Sequence, residues 1–217
     1  MSGSFLLNES LERYINEFGV NETQIEKELR EYVFKNHSQS AHLQISPDQS
    51  EFLKCIIKIG NYKNILELGT YLGYSALGMA IATEGKVTTI DRDDRFVNLA
   101  KDFWSKAKVD KKIDFILGMA NEKLDQFKPQ TFDMIFVDAD KTNNIQYYEK
   151  CKNLMTNNGI LIFDNVLWKG KVSEDSNDPK AKKIKEFNSY VKNDNYFEIS
   201  LISIGDGIML CKKKNTT

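Results

Sequence analysis

Residues 64–75, Asn64-Ile65-Leu66-Glu67-Leu68-Gly69-Thr70-Tyr71-Leu72-Gly73-Tyr74-Ser75, decide the fold. A short apolar run ends at an acidic residue, two glycines follow four positions apart, and an apolar stretch at helical spacing begins at Tyr74. That order predicts a strand, a close turn and a helix. The texture repeats downstream: Ile65–Leu68, Val87–Ile90, Ile113–Leu117, Met134–Val137 and Ile160–Phe163 are short apolar runs with helical patterns between them, at about Tyr74–Ala82, Asp94–Lys108, Asn121–Gln126 and Asn143–Met155. Runs apolar on both faces, alternating with helices, predict an open, doubly wound α/β fold with a mostly parallel sheet and helices on both sides. A Lys-rich helix near Ala181–Lys192 follows, and Phe197–Ile202 and Ile208–Lys212 around Gly205-Asp206-Gly207 predict a hairpin that ends a seven-stranded sheet in an antiparallel edge.

Upstream, residues 5–35 alternate apolar and charged positions at helical spacing, with Asn8 and Asn21 placed as caps, and Ser46-Pro47-Asp48 starts a third helix. A single domain over 1–217 is expected, with 61–217 as the core and 1–60 as helices for dimerisation or for a lid over the cleft. Thirty basic and thirty-one acidic residues nearly cancel, so nothing in the total charge argues for nucleic acid or a membrane surface. No run approaches the roughly 20 apolar residues of a membrane helix. Cys55, Cys151 and Cys211 are odd in number and sit in apolar stretches, which predicts buried, reduced thiols. With no signal-peptide pattern in Met1–Glu12, a cytoplasmic protein is expected.

In an open parallel sheet, ligands bind beyond the carboxyl ends of the strands, where strand order reverses. The residues after each run are therefore the candidates. Gly69 and Gly73 permit a close backbone approach beside a helix N-terminus, and Asp91, about 20 residues on, is placed for ribose hydroxyls. The spacing is G-x-x-x-G rather than the G-x-G-x-x-G of a dinucleotide site. Glu67 beside the loop disfavours a diphosphate and suits a cofactor carrying cationic groups, such as the sulfonium and ammonium of S-adenosylmethionine. Val137-Asp138-Ala139-Asp140-Lys141 and Phe163-Asp164-Asn165-Val166-Leu167-Trp168 end the fourth and fifth runs. Strands about 5 Å apart can bring Asp138, Asp164 and Asn165 to one point, as oxygen donors for a Mg2+-like ion rather than zinc. Each aspartate can equally cap the helix that follows it.

The three motifs E-L-G-x-x-x-G-Y-S, V-D-A-D-K and D-N-V-L-W, in this order, resemble the cation-dependent O-methyltransferase family of caffeoyl-coenzyme A and catechol O-methyltransferases, most closely its small bacterial members. The resemblance implies a Rossmann-like methyltransferase fold and S-adenosylmethionine as cofactor. It implies cofactor contacts from Ile45, Glu67, Gly69, Ser75, Asp91, Ala120, Asp138 and Asp140. Asp138, Asp164 and Asn165 would hold Mg2+, or Mn2+ or Ca2+, and Lys141 with Asp138 would serve catalysis. Lys169 matches a substrate-contacting position, and Trp168 stands beside it as a wall for an acceptor ring. A small phenolic acceptor and a homodimer are expected. Two rival readings are a nicotinamide-dependent oxidoreductase on the same fold and a non-catalytic protein with a relic cofactor pocket.

Overall fold

A computed structural model describes residues 7–214. Phe5 and Leu6, where the first helical pattern opens, lie outside them. The helices are α1 (Glu9–Gly19), α2 (Gln24–Asn36), α3 (Pro47–Gly60), α4 (Tyr74–Ala82), α5 (Val97–Lys106), α6 (Ala120–Lys123), α7 (Asn144–Leu154) and α8 (Pro179–Asn193). The strands are β1 (Asn64–Leu68), β2 (Lys86–Asp91), β3 (Ile113–Leu117), β4 (Phe132–Val137), β5 (Met155–Asp164), β6 (Phe197–Ile202) and β7 (Ile208–Lys213). They form one sheet in the order β3-β2-β1-β4-β5-β7-β6. The first five strands pair in parallel, and β7 pairs antiparallel with both β5 and β6. The hairpin is therefore inserted: β7 is the one reversed strand, and the edge strand β6 runs with the others.

Alternation along the strands sorts the core into two layers. Ile65, Met134, Phe136, Ile160 and Ile162 face Leu53, Ile57, Leu77 and Trp104, on the side of α2 to α5. Leu66, Leu68, Ile135, Val137, Leu161 and Phe163 face Tyr148, Cys151, Ile184 and Phe187, on the side of α7 and α8. This two-sided burial is why the strands read as continuous apolar runs. At about 1.5–3 kcal/mol for each fully buried large aliphatic or aromatic side chain, these layers dominate stability.

Several local expectations change. Asn8 caps α1 by accepting from Leu11 N at 2.9 Å, but α2 is capped by Thr23 rather than Asn21. Thr23 and Glu26 bond reciprocally, a complete capping box. Helix α5 starts three residues later than predicted, because Asp91 and Asp93 accept from the N–H groups of Asp93 and Arg95 and hold that stretch as a loop. Strand β5 starts at Met155, since the polar stretch Thr156–Gly159 continues it past an irregularity opposite β4. Cys55 is exposed, whereas Cys151 and Cys211 are buried, and all three are free.

Helix α2 does have a partner within the chain: Leu29 and Val33 are fully buried in the α4 layer. Arg30 grips Glu22 with two bonds of 2.8 Å, and Tyr74, the first residue of α4, donates to the same carboxylate at 2.7 Å. Lys54 of α3 bridges Glu26 at 3.2 Å and Glu51 at 2.8 Å. Helix α1, by contrast, has no buried residue.

Candidate active site

Strand order reverses between β1 and β4, so their carboxyl ends open a crevice. A cleft of about 1090 Å3 lies there, lined from the glycine loop to the segment after β5. Gly69 has φ +100°, and a Cβ on it would collide with the Asp138 carbonyl, so only glycine lets the two strand ends meet. Gly73, at φ +77°, opens α4. Asp91 binds the loop from below, its Oδ2 accepting from Thr70 N at 2.8 Å and Tyr71 N at 3.0 Å. Gly69, Ser75, Asp91, Ala120 and Ile45 all line the cleft.

Glu67 does not line the cleft. It has no exposed surface, and its Oε2 accepts from Thr89 Oγ1 at 2.6 Å, which is 2.6 Å from Thr70 Oγ1. Among the described residues its Oε1 has no hydrogen-bond partner. Burial pushes its carboxyl up to about 8, against the pull of the nearby Ser75 and Thr89 hydroxyls. A buried carboxylate with an orphaned oxygen beneath the loop fits a cationic ligand above it far better than a diphosphate.

At the other end, Val137 and Phe163 are register partners, so the next residues, Asp138 and Asp164, sit side by side on adjacent strands. Lys141 Nζ lies 2.7 Å from Asp138 Oδ1 and is itself buried. Burial raises the Asp138 carboxyl despite Lys141, and raises Asp164 to about 7, with the charge of Asp138 as the next cause. One lysine does not balance two carboxylates in this setting, which is the electrostatic condition a divalent cation relieves. Among the described residues no three His, Cys, Asp or Glu side chains form a metal-holding group, and Asn165, next to Asp164, lines the same cleft. All-oxygen donors of this kind suit Mg2+ or Ca2+. Asp140 also lines the cleft, but its carboxylate caps the turn that carries Lys141, accepting from Thr142 Oγ1 and Asn143 Nδ2, both at 2.9 Å.

The segment after β5 is strained: Asn165, Trp168 and Lys169 have φ of 57°, 47° and 54°. Such φ values cost about 1–3 kcal/mol each and persist where surrounding contacts enforce them. Here Asp206, in the β6–β7 turn, accepts from Lys169 N, while Trp168 Nε1 donates to Asp178 at 3.1 Å. Trp168, Lys169, Asp178 and Asp206 all line the cleft. Several lining residues escaped the sequence reading, Asp206 and Gln49 among them. Asp206 looked like an ordinary turn residue, and Gln49, which donates to Asp164 Oδ1 at 2.8 Å, looked like the third residue of a helix.

The sequence profile of the O-methyltransferase family matches residues 16–214. The chain belongs to that family. It is an O-methyltransferase, which sets aside the oxidoreductase reading. The tapetum-specific methyltransferase 1 of Arabidopsis thaliana is 38% identical over 221 residues, covering 96% of this chain and 95% of that protein. A caffeoyl-CoA O-methyltransferase of Populus kitakamiensis is 37% identical over 223 residues, with 96% and 95% covered. Among solved structures, an O-methyltransferase from Bacillus cereus in complex with SAH is 26% identical, with TM-score 0.82 over 94% of this chain and 97% of that one. An SAH-bound Podospora anserina methyltransferase superposes with TM-score 0.87 at 23% identity, over 96% and 97% of the two chains, and shares the Rossmann-like methyltransferase fold. These plant sequences are more similar to the chain than the Bacillus cereus protein is, against the expected leaning toward small bacterial members.

Proposed function

We propose that this O-methyltransferase takes its methyl group from S-adenosylmethionine and transfers it to one hydroxyl of a vicinal-dihydroxy phenol, a catechol or caffeoyl-like small molecule, with a divalent cation held by Asp138, Asp164 and Asn165. The observation that carries the reading is the buried, under-neutralised pair Asp138 and Asp164, in the same cleft as the glycine loop. A dication held by these residues would supply Lewis acidity, lowering the pKa of a phenol from near 10.

The chain's own residues do the rest. Gly69 leaves room for the donor's backbone-facing side, Ile45, Ser75 and Ala120 wall it, and Asp91 receives ribose hydroxyls. Asp138 and Asp140 border the donor where it meets the acceptor, and Glu67, from beneath the loop, balances its positive charge. Lys141 takes the hydroxyl proton or compensates the oxyanion. The acceptor oxygen then attacks the methyl carbon in line, and sulfur leaves with the bonding pair as S-adenosylhomocysteine. Trp168 and Lys169 border the acceptor ring. The named caffeoyl-CoA O-methyltransferase relatives support a phenolic acceptor. Three free cysteines suit a reducing, cytoplasmic setting, and among the described residues no helix is long and apolar enough to cross a membrane. A second copy of the chain on α1 completes the reading.

The test is methyl transfer to a panel of diol phenols. Turnover should vanish with a strong chelator and return with Mg2+ or Mn2+. Full turnover under chelation would remove the cation from the chemistry.

A further inference from the structure

We propose that Gln49 is a positioning residue for the divalent cation: by bonding one oxygen of Asp164 it leaves the other for the ion, and it ties the bonded oxygen to the start of α3. The inference rests on the cation reading above.

Asp164 Oδ1 accepts two bonds, from Gln49 Nε2 at 2.8 Å and from Asn165 N at 2.7 Å. Oδ2 takes no hydrogen bond from the described residues, so it is the oxygen left for a cation. Rotation of the carboxylate would exchange the two, and the Gln49 amide opposes that rotation. The amide is itself held in one orientation. Gln49 Oε1 accepts from both the N–H and the hydroxyl of Ser46, each at 3.0 Å, so an exchange of its oxygen and nitrogen would set donor against donor at Ser46 and oxygen against oxygen at Asp164.

Packing closes the other side. Gly205, in the β6–β7 turn, lies so close that a Cβ on it would collide with Gln49 Cδ. The N-terminus of α3 and the loop after β5 therefore converge on Asp164 Oδ1, and the final turn packs against the Gln49 side chain that makes the first of these bonds. Ser46 directly follows Ile45, a lining residue of the cleft, so the hydrogen-bonded chain Ser46–Gln49–Asp164 begins one peptide bond from the cleft wall. An amide suits the place because it donates to Asp164 without adding a third charge to a pair already short of positive charge. Partners that orient a ligand in this way are commonly worth 10- to 100-fold in metal affinity.

The full chain is titrated with Mn2+, counting free ion by electron paramagnetic resonance, and separately with S-adenosylhomocysteine by calorimetry, as wild type, Gln49→Met and Ser46→Ala. Gln49→Met should weaken Mn2+ binding about tenfold or more, and Ser46→Ala should weaken it by a smaller factor. S-adenosylhomocysteine affinity should stay as in the wild type in both. Equal Mn2+ affinity in wild type and both variants overturns the inference and leaves the cation reading standing. Equal loss of Mn2+ and S-adenosylhomocysteine binding overturns it as general damage. If Gln49→Met lowers the melting temperature, Ser46→Ala, which keeps the Gln49 side chain, decides by the same two titrations. A wild-type chain that binds no Mn2+ defeats the cation reading itself, and this inference with it.

Discussion

Glu67 and Lys141 are two buried ionisable side chains of the candidate site, and each makes a prediction at its own scale. Glu67 has its carboxyl raised from 4.5 to about 8 by burial. A raised acid contributes stability below its unfolded value and loses it as pH climbs through the folded one. The cofactor-free protein should therefore melt at falling temperature from pH 5 to pH 9, and Glu67→Gln should flatten that slope, gaining several degrees over wild type at pH 9 in a calorimetric scan. A parallel decline in both proteins would place the titration elsewhere. Lys141, 2.7 Å from Asp138, should matter to turnover more than to donor binding. Lys141→Ala is expected to lower kcat by about a hundredfold or more while S-adenosylmethionine affinity changes little. Equal losses would make Lys141 a structural residue. Twelve of the fourteen residues singled out from the sequence line one cleft, Glu67 and Gly73 being the exceptions. The strand-end rule locates Gly69, Asp91, Asp138, Asp140, Lys141, Asp164 and Asn165, because topology alone brings strand ends together, whereas Ile45, Ala120 and Lys169 come from the family resemblance. Glu67 departs from the set because alternation along β1 turns it to the α4 side of the sheet, a fact legible in the pleat but not in the motif. Gln49 and Asp206 were not legible, since each acts across the fold on a residue far away in sequence, and locally each looks like helix or turn chemistry.

The β1–loop–α4 element is where local sequence and distant packing agree, which makes it the most sensitive stretch of the chain. Gly69 at φ +100° touches the start of the Asp138 loop, so Gly69→Ala must both adopt a disfavoured φ and push β1 away from β4. It should destabilise the fold by roughly 2 kcal/mol or more and impair donor binding, read from urea denaturation and from calorimetric titration with S-adenosylmethionine. An unchanged midpoint would mean that the loop yields without cost. The same element explains why the fold was legible: a fully buried strand and a nearly fully buried helix leave strong apolar patterns. Elements bordered by polar side chains were read less well. Thr156–Gly159 looked like a loop because an exposed start of β5 carries no apolar signal, and α5 was overextended because Asp91 and Asp93 spend their side chains on turns that a hydrophobic pattern does not register. The reversed place of β7 depends on which strand of a hairpin docks against β5, and the two strands have similar compositions.

At the scale of the whole molecule, the helices before the core divide into two kinds. Helices α2 and α3 belong to the core layer, held by Leu29, Val33, Leu53 and Ile57 and by the ion pairs of Glu22, Glu26 and Lys54. Helix α1 rests on α3 and leaves Leu11, Tyr14 and Phe18 at 45%, 59% and 67% exposure, with the two rings only 4.5 Å apart. These residues recur at helical spacing, so they make one apolar stripe rather than scattered contacts. In a symmetric dimer such a stripe packs against its own copy, because a twofold axis brings identical surfaces together. A dimer built this way leaves both clefts untouched, since no residue of α1 lines the cleft. The double variant Tyr14→Glu, Phe18→Glu should therefore sediment as a monomer where the wild type sediments as a dimer, while per-chain methyl transfer stays within about twofold, well below the tenfold that 1.4 kcal/mol represents. A variant that stays dimeric would move the interface off α1. A monomeric wild type would leave the stripe without a second copy. Loss of activity on dissociation would mean that the partner chain completes the acceptor end of the site, a role that nothing in the single-chain geometry requires.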